Sequence, residues 1–150
     1  METMSPILAA HPFFQGMDSG FLKLVLECAS RKTFKQGEFL CRDAEEATQF
    51  YVIHHGRVGV EIYRARRGPV TVHSLGETDV LGWLWFETPY HWHLDAKAQE
   101  LTRVISLDVK CLRDKCEQNH DFAYELMRRY AHHLAVQFRV TKLQLADIYG

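Results

Sequence analysis

The stretch Gln49-Phe50-Tyr51-Val52-Ile53-His54-His55-Gly56-Arg57-Val58-Gly59-Val60-Glu61-Ile62 decides the fold class. Phe50, Val52 and His54 alternate with Tyr51, Ile53 and His55, the period of two that sends successive side chains to opposite faces of a strand. After Gly56, Val58, Val60 and Ile62 share one face while Gly59, Glu61 and Tyr63 take the other. Similar alternation pairs Phe39 and Cys41 with Leu40, Val70 and Val72 with Thr71 and His73, and Ile105 and Leu107 with Val104 and Ser106. Gly37, Gly56, Gly68-Pro69 and Gly76 punctuate these runs at short intervals. Many short strands between Thr33 and Leu107 predict an antiparallel sandwich or barrel of jelly-roll type rather than an α/β sheet.

On both sides of this region the period is helical. Residues 6–31 read as a helical cover, with Asp18 or Ser19 capping a run of Phe21, Leu22, Leu24, Val25, Leu26 and Cys28. Pro12-Phe13-Phe14 with Gly16 makes an apolar turn before it. From Val109, Leu112 and Cys116 fit a short helix ending near Asn119, and a long helix follows from near Asp121 towards Ile148. The expected fold is therefore α+β, mainly β, in a single domain over residues 1–150. A helical segment at 1–32 covers a β-roll at 33–108, and C-terminal helices occupy 109–150.

Within the long helix Met127, Ala131, Leu134, Phe138, Thr141 and Leu145 recur at steps of four and three, a heptad-like seam. A symmetric pairing of two such helices predicts a homodimer; the alternative is a single helix folded back on its own domain. The chain has 18 basic and 19 acidic side chains and a net charge of −1, so there is no global electrostatic case for nucleic acid. Arg64, Arg66 and Arg67 before Gly68-Pro69 read as a solvated hairpin tip. No apolar run reaches membrane-spanning length, and Met1-Glu2-Thr3-Met4-Ser5-Pro6 lacks the features of a signal peptide, so a cytoplasmic protein is expected. The four cysteines form no C-x-x-C pair, and free buried thiols are expected rather than disulfides. Cys111, Cys116 and His120 match neither a zinc ribbon nor a zinc finger, and no metal site is expected.

The segment 81–98 holds all three tryptophans and two of the nine histidines. A glycine, a compact apolar turn and then an aromatic-rich strand read as the floor and wall of a pocket.

Four stretches in order resemble the cyclic nucleotide-binding domain family. They are His11-Pro12-Phe13-Phe14-Gln15-Gly16-Met17, then Phe34-Lys35-Gln36-Gly37-Glu38-Phe39-Leu40 with a Gly-Glu turn between strands, then Ala47 to Val60 with Gly56 turning the hairpin, and last Leu75-Gly76-Glu77-Thr78-Asp79-Val80-Leu81-Gly82. The resemblance implies that residues 81–98 stand where the family has its phosphate-binding cassette, with a short helix inside it. In the family a Gly-Glu pair opens the cassette and an Arg about ten residues on closes it. The resemblance assigns the carboxylate to the ribose and the guanidinium to the cyclic phosphate, where a planar fork of donors suits an anionic group. Here Gly82 remains, but Trp83 takes the Glu position, and Trp92 or His93 takes the Arg position. Losing a charged contact to a desolvated phosphate costs about 2–5 kcal/mol, roughly 30- to several-thousand-fold in affinity. Weak or altered binding of cyclic AMP or cyclic GMP is therefore expected, with no other cofactor.

The candidate ligand-facing residues are Val60, His73, Leu81, Gly82, Trp83, Leu84, Trp85, His91, Trp92, His93 and Leu94, together with His133, Gln137 and Phe138 of the long helix. Three readings stay open. The first is a non-enzymatic sensor in which His91 or His93 replaces part of the phosphate recognition and tryptophans stack on a purine. The second is a ligand-free dimerisation or docking module with Trp83 and Trp92 as core. The third is a cupin-like metal enzyme using His91-Trp92-His93 and Glu100. No helix-turn-helix follows the long helix, so direct DNA binding is not expected, and any signal passes to a separate effector protein.

Overall fold

The computed structural model describes residues 4–82, 84 and 91–149. Helices α1 (Met4–Ala10) and α2 (Ser19–Leu26) lead into β1 (Ala29–Phe34), β2 (Phe39–Cys41), β3 (Gln49–His55), β4 (Val58–Arg64), β5 (Gly68–Leu75) and β6 (Val80–Leu81). Strands β7 (Asp95–Ala98) and β8 (Thr102–Asp108) follow, then α3 (Val109–Gln118) and α4 (His120–Tyr149). The strands form two four-stranded antiparallel sheets, ordered β1-β8-β3-β6 and β2-β7-β4-β5. This is the jelly-roll β-roll with helical cover that the periodicity predicts.

Strand β3 explains why the pieces stack in three layers. Phe50, Tyr51, Val52 and Ile53 are all buried. Phe50 and Val52 face one core, shared with Leu8, Phe13, Phe14, Leu112, Phe122 and Leu126 of the helices. Tyr51 and Ile53 face a second core between the sheets, shared with Leu40, Val58, Val60, Ala96 and Trp92. A strand covered on both faces reads as a continuous apolar run, which the sequence shows at these four positions. The turn after β3 needs Gly56: its φ is +104°, and an added Cβ would lie 2.5 Å from the Leu101 carbonyl oxygen. Both strain and overlap exclude a side chain there.

Several boundaries differ from those the sequence predicts. The helical cover ends at Leu26 rather than continuing to residue 31 or 32, and Ala29–Phe34 pair along their whole length with Leu107–Thr102. Four of the six β1 residues are exposed, so the alternation that marks a strand is missing. The Gly37-Glu38 turn joins strands of different sheets, since β1 pairs with β8 and β2 with β7. Ile62 does not share the buried face of Val58 and Val60 but is 44% exposed, because a register shift between Val60 and Glu61 re-aims the outer half of β4. Asp18 caps α2 by accepting from the Gly20 N–H, and Asp108 caps α3 by accepting from the Cys111 N–H.

The expectation of free cysteines holds for Cys41 and Cys116, both buried thiols, and fails for the other two. Cys28 and Cys111 form a disulfide with their Cα atoms 5.7 Å apart. The reason is the register of β1 on β8, which sets Ala29 opposite Leu107 and so brings Cys28 beside the first turn of α3. Spacing in the sequence gives no hint of this pairing, because the partners are 83 residues apart. The short cassette helix expected near 83–87 lies outside the described residues, except for Leu84.

Candidate functional site

The segment 81–98, expected to form the cassette, starts at a bend that only glycine fits. Gly82 has φ +146°, and a Cβ there would lie 2.8 Å from Phe50 Cδ1 and 3.0 Å from Phe50 Cα. The Tyr130 hydroxyl of α4 donates to the Gly82 carbonyl oxygen at 3.0 Å. The long helix therefore touches the cassette entrance directly. Leu84 turns into the helical core and lies beside Val109, Leu112 and Leu126.

The cassette exit is pinned by the loop between β2 and β3. The Ala44 N–H donates to the Trp92 carbonyl and the Trp92 N–H to the Glu45 carbonyl, both at 2.8 Å, while His91 bridges Glu46. The side chains alternate across this short pairing. Trp92 is 3% exposed and packs in the core between the sheets with Val60, Leu81, Leu40 and Tyr51, whereas His91 and His93 are exposed. A cleft of about 500 Å³ opens beside Trp92, lined also by Lys32, Glu45, Glu46, Gln49 and Tyr51. Two carboxylates against one ammonium make this mouth unfavourable for a phosphate, though their exposure screens the effect. Burial pushes the Cys41 thiol in its wall up to about 12, with Glu45 and Asp95 adding to the shift. Burial likewise raises the Tyr51 hydroxyl to about 12, and it donates to the Leu40 carbonyl at 3.0 Å.

A second cleft, of about 430 Å³, lies where α4 passes the N-terminal turn and the β5–β6 turn. His132, His133, Val136 and Gln137 face Pro12, Phe13 and Gln15 on one side and Thr78, Asp79 and Val80 on the other. Arg129 holds the helix in place, donating at 2.9 Å to the carbonyls of Phe13 and Gln15 and pairing with Glu125. His133 stacks on Tyr130 with ring centroids 6.3 Å apart and meets the Phe13 ring edge-on. His11 is buried, its Nδ1 accepting from the Phe13 N–H and its Nε2 lying 3.2 Å from the Asp79 carbonyl oxygen. An accepting Nδ1 carries no proton, so His11 is the neutral tautomer that donates through Nε2.

The candidate residues thus fall in separate places. Val60, Leu81 and Trp92 meet between the sheets, with Leu94 packed against them. His73 lies opposite Val60 in the β4–β5 ladder and is half-buried. Leu84 belongs to the other core, and His133 and Gln137 belong to the α4 cleft. Phe138 is 65% exposed, with the Lys142 ammonium over its ring. Trp83 and Trp85 lie outside the described residues. Among the described residues no three His, Cys, Asp or Glu side chains gather as a metal would require, and no helix is long and apolar enough to cross a membrane. Tyr130, Arg129, His11 and Glu45 are site-positioning residues that sequence reasoning missed. Tyr130 sits at the helical spacing of Phe122 and Leu126 on the domain-facing side of α4, a stripe masked by the neighbouring heptad seam.

The geometry has a counterpart in sequence, for the family model "Cyclic nucleotide-binding domain" matches residues 31–119. The chain belongs to the cyclic nucleotide-binding domain family. Among solved structures, a putative cyclic nucleotide-binding protein from Geobacter metallireducens GS-15 is 22% identical with a TM-score of 0.75, covering 91% of this chain and 96% of that one. A cyclic nucleotide-binding domain from Methylobacillus flagellatus KT is 14% identical with a TM-score of 0.81, covering 97% and 82%. The N-terminal domain of a transcriptional regulator from Streptomyces coelicolor A3(2) is 18% identical with a TM-score of 0.72, covering 90% and 94%. These likenesses establish the fold. No curated protein matches the sequence.

Burial pushes both His11 and His133 below the ordinary 6.5. The unfolded chain then takes up protons first as pH falls, so the stability these two contribute is present above pH 6.5 and lost below it. Both rings are expected to titrate below pH 6.5 by NMR, with urea stability declining as the pH falls through 6.5.

Proposed function

We propose that this domain is a non-enzymatic regulatory module of the cyclic nucleotide-binding family in which binding of cyclic AMP or cyclic GMP is weak or altered. The observation that carries this reading is Trp92, 3% exposed and packed with Val60 and Leu81 between the sheets. By resemblance, Trp92 or His93 stands where the family places its phosphate-binding Arg. An indole in that interior supplies no charge for the phosphate and fills volume a ligand would use. Removing a large aromatic from a packed core costs about 3–5 kcal/mol, a penalty any ligand needing that space must offset. The missing guanidinium adds about 2–5 kcal/mol, and Glu45 and Glu46 beside Trp92 oppose an anion further. Calorimetry with cyclic AMP and with cyclic GMP is expected to give dissociation constants weaker than about 10 μM, or no heat at all. Submicromolar affinity for either would overturn the reading and point to His91 or His93 as phosphate ligands.

A second reading, a dimerising or docking module that signals to a separate effector protein, is favoured by the surface of α4. Phe122, Leu126 and Tyr130 turn towards the domain and are buried. Ala131, Leu134, Phe138, Thr141 and Leu145 of the heptad-like seam are exposed, Phe138 at 65% and Leu145 at 49%, and Met127 is half-buried at its start. The seam thus stands clear of its own domain, and a second α4 is the simplest surface to cover it. Sedimentation at tens of micromolar is expected to give twice the chain mass, and Phe138→Glu to return it to the monomer. A monomeric wild type would contradict this.

A further inference from the structure

We propose that Cys28 and Cys111 form a thiol–disulfide switch that sets how tightly α3, and the α4 helix it leads into, are fastened to the β-roll. Their juxtaposition is built into the sheet. The Asp108 N–H donates to the Cys28 carbonyl at 3.0 Å, one residue beyond the β1–β8 ladder, and the two Cα atoms lie 5.7 Å apart. Sheet pairing holds Cys28 beside Asp108, the residue that caps α3, so the reduced thiols stay near each other and can reoxidise within the molecule. The remaining fastenings of α3 are few. Val109, Leu112 and Cys116 are buried, the Val109 N–H donates to the Thr48 carbonyl, and Lys115 pairs with a half-exposed Glu27. An ion pair of that kind contributes little. Asn119 joins α3 to α4 with no loop between, accepting from the Phe122 N–H at 3.0 Å, so the position of α3 is passed to α4.

The two sulfurs are not equally accessible. Cys28 is 7% exposed while Cys111 is half-buried, so an external thiolate reaches Cys111 Sγ first. Attack there forms a mixed disulfide and expels the Cys28 thiolate, which takes a proton. A second external thiolate then releases Cys111, and the two electrons come from the external pair, which leaves as its own disulfide. Oxidation by a low-molecular-weight disulfide runs the same steps backwards. Cys41 and Cys116 do not compete, because burial pushes their thiols up to about 12 and about 11.

The test equilibrates the purified protein across ratios of reduced to oxidised glutathione, reads the pairing by alkylation and peptide mass, and follows amide exchange. The Cys28–Cys111 pair is expected to pass from fully oxidised to fully reduced within that range while Cys41 and Cys116 stay thiols. On reduction, exchange over residues 109–126 should quicken about tenfold or more, with residues 50–53 of β3 unchanged. A pair that stays wholly oxidised or wholly reduced across all ratios overturns the switch, as does unchanged exchange in α3 and α4. A Cys28→Ser/Cys111→Ser variant should match the reduced wild type at every ratio, and if it does not fold, the wild-type comparison still decides.

Discussion

Burial of β3 on both faces is the constraint from which the rest of the architecture follows. Phe50 and Val52 need helices over them, and Tyr51 and Ile53 need a second sheet. One strand therefore holds the N-terminal cover, α3 and α4 on one side and the roll interior on the other. Gly82 closes against Phe50 because no side chain intervenes, and this brings the cassette entrance under the Tyr130 hydroxyl. A change at β3 is thus felt at the cassette, at α4 and in the roll at once.

Set on that frame, the described ends of segment 81–98 are each fixed by contacts to distant parts of the chain. It starts at the Gly82 bend and ends at a backbone pairing of Ala44 and Glu45 with Trp92. What fills the interior between them is the Trp92 indole, and the cleft beside it carries two carboxylates, Glu45 and Glu46, against the single ammonium of Lys32. In the proposed reading, packing and electrostatics act in the same direction against an anionic ligand in the roll. The α4 cleft with His133 and Gln137 is a separate volume, fixed by Arg129 and by the neutral His11.

The β-roll, the two C-terminal helices and the α2 cap were legible because period and capping are local signals. The start of β1 was not, since four of its six residues are exposed and only pairing with β8 makes them a strand. The aromatic run marks Trp92 as a candidate, but alternation alone does not say that it lies inside while His91 and His93 lie out. The Glu45 loop sets that, from a region nearly fifty residues upstream. Tyr130 and the Cys28–Cys111 disulfide were hidden for the same reason: each depends on a contact between distant segments that no local pattern encodes.

Trp92 fills the interior between the two sheets, and in the proposed reading it excludes a nucleotide from that space. A crystal structure of the protein grown in millimolar cyclic AMP tests this most directly. The expected result is a roll interior without nucleotide, with the Trp92 indole packed on Val60, Leu81 and Tyr51. A nucleotide bound between the sheets, with Trp92 swung out or stacked on its base, would contradict it.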